Sequence, residues 1–243
     1  DRWEEMPPEH RSDAVRLALL ERYGGVWSDT NNLCLRPLDD WVWREVTNPQ
    51  KGVGGFYYAQ HGCQRGKSRE YVENWFIAAR RGHPLIAAWR RTFCEAWRGH
   101  VDCKAVMYGP YFDDTDLSFV HGFLRGYLTM HASMKKLIDN DSEVRRLWSE
   151  GMALYRADDE ALGWCNGLST REDMVRWMVY SYDAAWVAAR VRGAPLLKFT
   201  GKWSYPLDWQ PAEHLLLRRA NVCGLLAAAL APAAPAEAWE QLD

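Results

Sequence analysis

The sequence predicts an α/β fold, a sheet flanked by helices with an added helical lobe, and three observations carry that prediction. Residues 11–38 run from a helix through Gly24-Gly25 into a short apolar strand that ends on Asp29-Thr30-Asn31. Two more strand-like segments follow, a glycine-led one at 53–59 and an aromatic and aliphatic one at 74–79, the second leading into a helix. From Phe112 to Val191 the pattern is mostly helical, with Gly, Asn or Asp breaks.

In chain order, residues 1–10 contain Pro7-Pro8 and read as an irregular lead-in, because a helix rarely runs through a proline pair. Ser12 and Asp13 are good helix-start residues, 14–22 are strong helix formers, and Gly24-Gly25 end the helix at Tyr23. Asp13 and Arg16 lie three apart and share one face, Leu17 and Leu20 supply core contact, and Val15, Leu19 and Arg22 turn elsewhere. Val26-Trp27-Ser28 reads as a buried strand delivering Asp29, Thr30 and Asn31 at its C-terminal end, which in an open α/β sheet is where ligands bind.

Cys34-Leu35 reads as a second short strand, 38–46 as a turn or short helix, and 61–69 as a polar surface loop of the kind that borders sites. A turn through Gly82 and His83-Pro84 opens a helix reaching about Arg98. Further helices are expected over 117–130, 133–137, 142–157 and 171–192. Residues 195–203 read as a late strand and polar loop, 214–230 as one more helix, and 231–243 as an Ala/Pro-rich tail or linker. The expected organisation is one catalytic domain over 1–230, its helical lobe at about 112–192, followed by that tail.

A chain of 243 residues can bury a substantial core. Its net charge of −2 gives no bulk electrostatic reason for nucleic-acid or polybasic membrane binding. No apolar run approaches the ~18 residues of a membrane span. Fourteen Trp and eleven Tyr suit sugar faces and nucleobases, and equally suit cores and helix interfaces. Cys34, Cys63, Cys94, Cys103, Cys165 and Cys223 show no zinc-ligand spacing and leave disulfides open.

Asp29 and Asn31, at i and i+2, would project to one side, so both oxygens would face one cation or a ribose; the bland reading is an Asx turn at a strand end. A second acidic run, Asp114-Thr115-Asp116, lacks a preceding Gly-Gly strand and is better explained as acidic capping before a helix at Leu117. His83, His121 and Asp116 are candidates for a general base by residue type alone.

The pattern SD-x-x-R-x-x-x-L-x-x-Y-G-G-x-W-x-D-x-N, closing on Arg36-Pro37-Leu38-Asp39, resembles the sugar-binding core of the D-x-D glycosyltransferases, most of all the capsular polysaccharide synthesis branch. The Asn74-Trp75-Phe76 block with His83-Pro84, and Lys198-Phe199-Thr200, resemble two later blocks of that family in the same order. The resemblance implies a nucleotide-diphospho-sugar transferase (GT-A) sheet and metal-assisted transfer from a nucleotide-sugar donor to a glycan or other hydroxyl acceptor; such families are usually retaining, which needs no base, while an inverting outcome would need one. It implies donor contacts from Asp13, Arg16, Asp29, Asn31, Asn74, Lys198, Thr200, Lys202 and Trp203, and Mn or Mg on Asp29 and Asn31. Asn31 departs from the second Asp of the motif, keeping an oxygen and losing a charge. The family also places a strand-helix-strand unit before the SD-x-x-R helix, so an upstream unit is expected, with any signal anchor and a Golgi-lumenal rather than cytoplasmic setting depending on it. The alternative is a non-catalytic nucleotide-sugar or carbohydrate binder on a degenerate transferase fold, which Asn31 favours and Asp13, Arg16 and Asp29 oppose.

Overall fold

A computed structural model describes residues 3–57, 72–118, 120, 124–165 and 189–199, divided into two compact units. The first comprises residues 1–30 and 37–158, the second 31–36 and 159–243.

The first unit opens on helix α1 (Pro8–Tyr23), which begins four residues before the expected Ser12 start. The proline pair does not block it: Pro7 sits at the N-cap and Pro8 in the first turn, where the missing N–H has no helical partner to lose and φ is already helical. The helix stops at Gly24, whose N–H returns to Leu20 O at 2.9 Å. Gly24 has φ 67°, and a Cβ there would lie 2.5 Å from Arg81 N and 2.9 Å from Ala79 O. Only glycine allows α1 to turn this tightly against the strand that ends at Ala79.

Strands β1 (Gly25–Ser28), β3 (Val53–Tyr57), β4 (Phe76–Ala79) and β5 (Met152–Arg156) form one sheet in the order β1-β4-β3-β5. Strand β4 is antiparallel to β1 and β3, while β3 and β5 are parallel, so three strands run one way and β4 the other. The ends of β1, β3 and β5 therefore share one edge with the start of β4. The side chains of β4 are all buried, and their alternation divides the core. Ile77 and Ala79 pack with Leu17 and Leu20 of α1 and with α3 (Pro84–Ala96), α5 (Thr129–Asn140) and α6 (Ser142–Gly151). On the other face, Gly54 is where α2 (Val42–Thr47) comes close: a Cβ there would lie 2.7 Å from Val42 Cγ2. Trp41, Phe56, Phe76 and Tyr155 form an aromatic cluster, Trp41 stacking on Phe76 at 5.3 Å and meeting Tyr155 edge-on at 5.1 Å. The expected sheet flanked by helices is thus present.

Two helical expectations fail. Residues 152–156, read as the end of a helix over 142–157, are strand β5: α6 stops at Gly151, and hydrogen bonding to β3, distant in sequence, overrides local helix propensity. The described residues of 113–128 are turns rather than a helix from Leu117, with Leu117, Val120 and Leu128 still buried in the core. Helix α4 (Cys103–Tyr108) is capped by Asp102, which accepts from Lys104 and Ala105 N–H.

In the second unit, β2 (Asn32–Cys34) pairs antiparallel with β6 (Leu196–Lys198), so the early and late strands expected near Cys34 and Lys198 are partners. Trp164 is buried, donates to Lys198 O at 3.2 Å and packs on Phe199. The readings at 61–69, at 200–203, at 214–230 and in the tail lie outside the described residues, as does most of the helix at 171–192. Among the described residues no helix is long and apolar enough to cross a membrane, and Cys34, Cys94 and Cys103 are free thiols.

Candidate functional site

The buried face of α1 changes character along its length. Leu17 and Leu20 toward its C-terminal end are apolar, whereas His10, Asp13 and Arg16, which precede them, are polar and between 1% and 5% exposed. Buried charges of this kind persist only when partnered, and the partners come from two strand ends.

Arg16 is matched on all three nitrogens. Its Nε reaches Ser12 O at 3.5 Å, its Nη2 lies 3.3 Å from both Ser12 Oγ and Asp13 Oδ1, and its Nη1 donates to Asn74 O and stands 3.8 Å from Asp29 Oδ1. The guanidinium also lies over the Trp27 ring at 5.0 Å. Asp13 is equally occupied: Oδ1 accepts from Asn74 Nδ2 at 3.0 Å, and Oδ2 lies 3.5 Å from His10 Nδ1. Asp13 and Arg16, which share a helix face, thus form an ion pair, and it is buried.

Asp29 closes the cluster. Its N–H donates to Trp75 O at 2.8 Å, tying the end of β1 to the residue before β4, and its Oδ1 accepts from Trp27 Nε1 at 3.1 Å. Trp27 and Asp29, two apart at a strand end, lean to the same side. With 32% of its side chain exposed, Asp29 is the carboxylate here that an external ligand can reach. Tyr127 stands nearby, half exposed, and burial followed by the Asp13 carboxylate pushes its phenol pKa up. Burial, then the charge of Arg16, pushes the His131 imidazole down to about 3.

Of the residues expected from sequence, Asp13, Arg16, Asp29 and Asn74 are therefore assembled in the first unit. Asn31 and Lys198 meet in the second, where Lys198 Nζ donates to Asn31 Oδ1 at 2.6 Å and Lys198 is buried. Thr200, Lys202 and Trp203 lie outside the described residues, as does His121. His83 caps α3, its Nδ1 accepting from Leu85 N–H at 3.3 Å. The Asp114 run is structural in a different way from the capping expected: Asp114 pairs with Lys136, and Asp116 accepts from Ser118 N–H at 3.0 Å in an Asx turn. His10, Trp27 and Tyr127 were not singled out for the site. His10 was legible only once α1 is started at Pro8, which places it three residues before Asp13.

The cluster offers a divalent cation a single reachable carboxylate. Among the described residues no group of three or more His, Cys, Asp or Glu side chains is gathered to hold one. Asp29 offers one hard oxygen donor, and Mg-type sites do use one or two carboxylates completed by water and substrate phosphates.

Residues 2–108 match the capsular polysaccharide synthesis protein family. The matched segment includes His10, Asp13, Arg16, Trp27, Asp29 and Asn74, and so nearly the whole cluster. Over 102 residues the chain is 35% identical to the glycosyltransferase afumC of Aspergillus fumigatus, covering 42% of this chain and 25% of that protein. It is 34% identical over 104 residues to the O-glycosyltransferase braB of Annulohypoxylon truncatum, covering 42% and 24%. It is 27% identical over 101 residues to the O-glycosyltransferase PaGT of Phomopsis amygdali, again covering 42% and 24%. The chain spans about a quarter of the length of these curated relatives. No solved structure matches it.

Proposed function

We propose that this chain carries the donor-binding part of a glycosyltransferase that moves a sugar from a nucleotide-diphosphate donor to a hydroxyl acceptor. One observation carries the reading: in a segment similar to glycosyltransferases, a reachable carboxylate, Asp29, is mounted at a strand end on a frame of buried Asp13 and Arg16 and half-buried Asn74. The names of two relatives as O-glycosyltransferases support oxygen as the acceptor atom.

The division of labour follows from burial. Arg16 is 5% exposed and already matched by protein acceptors, so it orients Asp29 and Asn74 rather than gripping phosphate. Asp13 locks the amide of Asn74 and completes the frame. Asp29 meets the donor's hydroxyls, and with Mn or Mg it would supply a carboxylate ligand. Such an ion neutralises charge on the departing nucleoside diphosphate. Asn31 is assigned no metal, because an ammonium donating to its amide oxygen repels a cation at that atom. In transfer the bond from the sugar's anomeric carbon to diphosphate oxygen breaks, a bond to the acceptor oxygen forms, and the acceptor's proton leaves with the released nucleoside diphosphate. His83 and Asp116 are committed to a cap and a turn, so neither is assigned as a base.

The test is release of nucleoside diphosphate from UDP- and GDP-sugars, with Mn²⁺ and a panel of hydroxyl acceptors, by the chain and by Asp29→Ala. Turnover that falls at least about 100-fold in the variant supports the reading. Asp29-dependent binding without turnover favours the non-catalytic nucleotide-sugar binder, and the absence of both overturns the two together.

A further inference from the structure

The most deeply buried polar member of the cluster is His10, 1% exposed, and no role falls to it in donor contact. Its Nδ1 stands between two oxygens, Thr129 Oγ1 at 3.2 Å and Asp13 Oδ2 at 3.5 Å. Thr129 Oγ1 in turn accepts from Trp97 Nε1 at 3.3 Å. The imidazole packs on Trp97 with ring centroids 4.7 Å apart. His10 Nε2 is buried with no hydrogen-bond partner among the described residues.

This geometry assigns the tautomer. The Thr129 hydroxyl can give or take a hydrogen bond, whereas the Asp13 carboxylate facing the same nitrogen can only accept, so the arrangement that suits both oxygens carries the proton on Nδ1. With the proton on Nδ1, the buried Nε2 is an unpaired acceptor. The opposite tautomer would bury an unpaired N–H and set a lone pair against a carboxylate, and orphaned buried N–H groups are the rarer and costlier arrangement.

We propose that His10 is a positioning residue for the donor site: its Nδ1, hydrogen-bonded to Thr129 Oγ1 and with the ring packed on Trp97, stands 3.5 Å from Asp13 Oδ2 and sets the position of that carboxylate. The chain of contacts then runs from α3 and α5 through His10 to Asp13, on to Asn74 and Arg16, and ends at Asp29, the residue that meets ligand. The inference rests on the donor-site reading above. Its physical content is that a group with no access to ligand sets the angle of the carboxylate that fixes the frame.

Two variants separate positioning from packing. His10→Phe keeps an aromatic ring against Trp97 and lacks the donor, whereas His10→Asn places an N–H near the position of Nδ1 and gives up the ring. Calorimetric titration with UDP- and GDP-sugars should show about a tenfold loss of affinity in His10→Phe and recovery to within about twofold of wild type in His10→Asn. Thermal unfolding should rank them the other way, with the ring-bearing variant the more stable. Nitrogen-15 spectra of the wild-type imidazole should show the proton on Nδ1. Wild-type affinity in His10→Phe, affinities that follow thermal stability, or a proton on Nε2 would each overturn the inference while leaving the donor site standing. A wild-type chain that binds no sugar nucleotide removes the donor-site reading itself, and this inference with it.

Discussion

Trp27 holds Asp29 by donating its indole N–H to Oδ1 at 3.1 Å, while the same ring carries the Arg16 guanidinium on its face at 5.0 Å. One side chain thus fixes both the reachable carboxylate and the buried cation beside it. Trp27→Phe removes the hydrogen bond and keeps most of the ring. The account expects sugar-nucleotide affinity to fall three- to tenfold, with stability changed by about 1 kcal/mol, as calorimetry and urea unfolding would show.

Arg16 and Asp29 should behave as opposites. Removing Arg16 leaves Asp13 a buried carboxylate without its cation, and breaking a buried pair in this way typically costs about 3–5 kcal/mol. Asp29 is partly solvated, so Asp29→Ala should change stability by less than about 1 kcal/mol. Urea unfolding of Arg16→Met and Asp29→Ala makes the comparison, and equal losses would contradict the assignment of frame and contact.

The glycine pair should also divide. Gly24→Ala drives a Cβ into the backbone of Arg81 and Ala79 and imposes φ 67° on alanine, so a loss of about 2 kcal/mol or more is expected. Gly25 has φ 95° but open space around a would-be Cβ, so Gly25→Ala should lose only about 1 kcal/mol, from backbone strain. Denaturant midpoints of the two variants provide the check.

How legible this was depended on whether partners were local. Asp13 and Arg16 share a helix face at i and i+3, and Gly24-Gly25 followed by an apolar run announces β1, so the centre of the side-chain cluster could be read directly. Strand β5 could not, because residues 152–156 become a strand only by pairing with β3, about a hundred positions away. The start of α1 was missed because a proline pair reads as a break unless the second proline is placed in the first turn, and with it went His10. That Arg16 is enclosed rather than open to ligand depends on Asn74, in the bend that leads into β4, and no spacing encodes it.

The literal acidic run gives a negative control. Asp114 is more than half exposed, and pairing with Lys136 holds its carboxyl below the usual range. Asp114→Ala should leave sugar-nucleotide affinity within twofold of wild type and shift stability by no more than about 1 kcal/mol. A large loss of affinity would move the donor site away from Asp29.

His131 gives the acid limb of stability. Its folded-state pKa of about 3 lies below the ordinary 6.5, so the unfolded chain binds the proton more readily. The stabilisation is complete above about 6.5 and is lost as pH falls toward about 3, at up to about 1.4 kcal/mol per pH unit. Between pH 7 and 5, urea unfolding of His131→Leu should therefore show a fall smaller than that of wild type by about 2 kcal/mol. Parallel falls would contradict the buried neutral imidazole.

Asp29, held by Trp27 and framed by Asp13, Arg16 and Asn74, is the proposed point of donor binding. Calorimetric titration of UDP- and GDP-sugars into the wild-type chain and Asp29→Ala, with and without Mn²⁺, tests it most directly. Wild type should bind, and Asp29→Ala, with stability changed by less than about 1 kcal/mol, should lose at least tenfold in affinity. Equal binding by both proteins would contradict it.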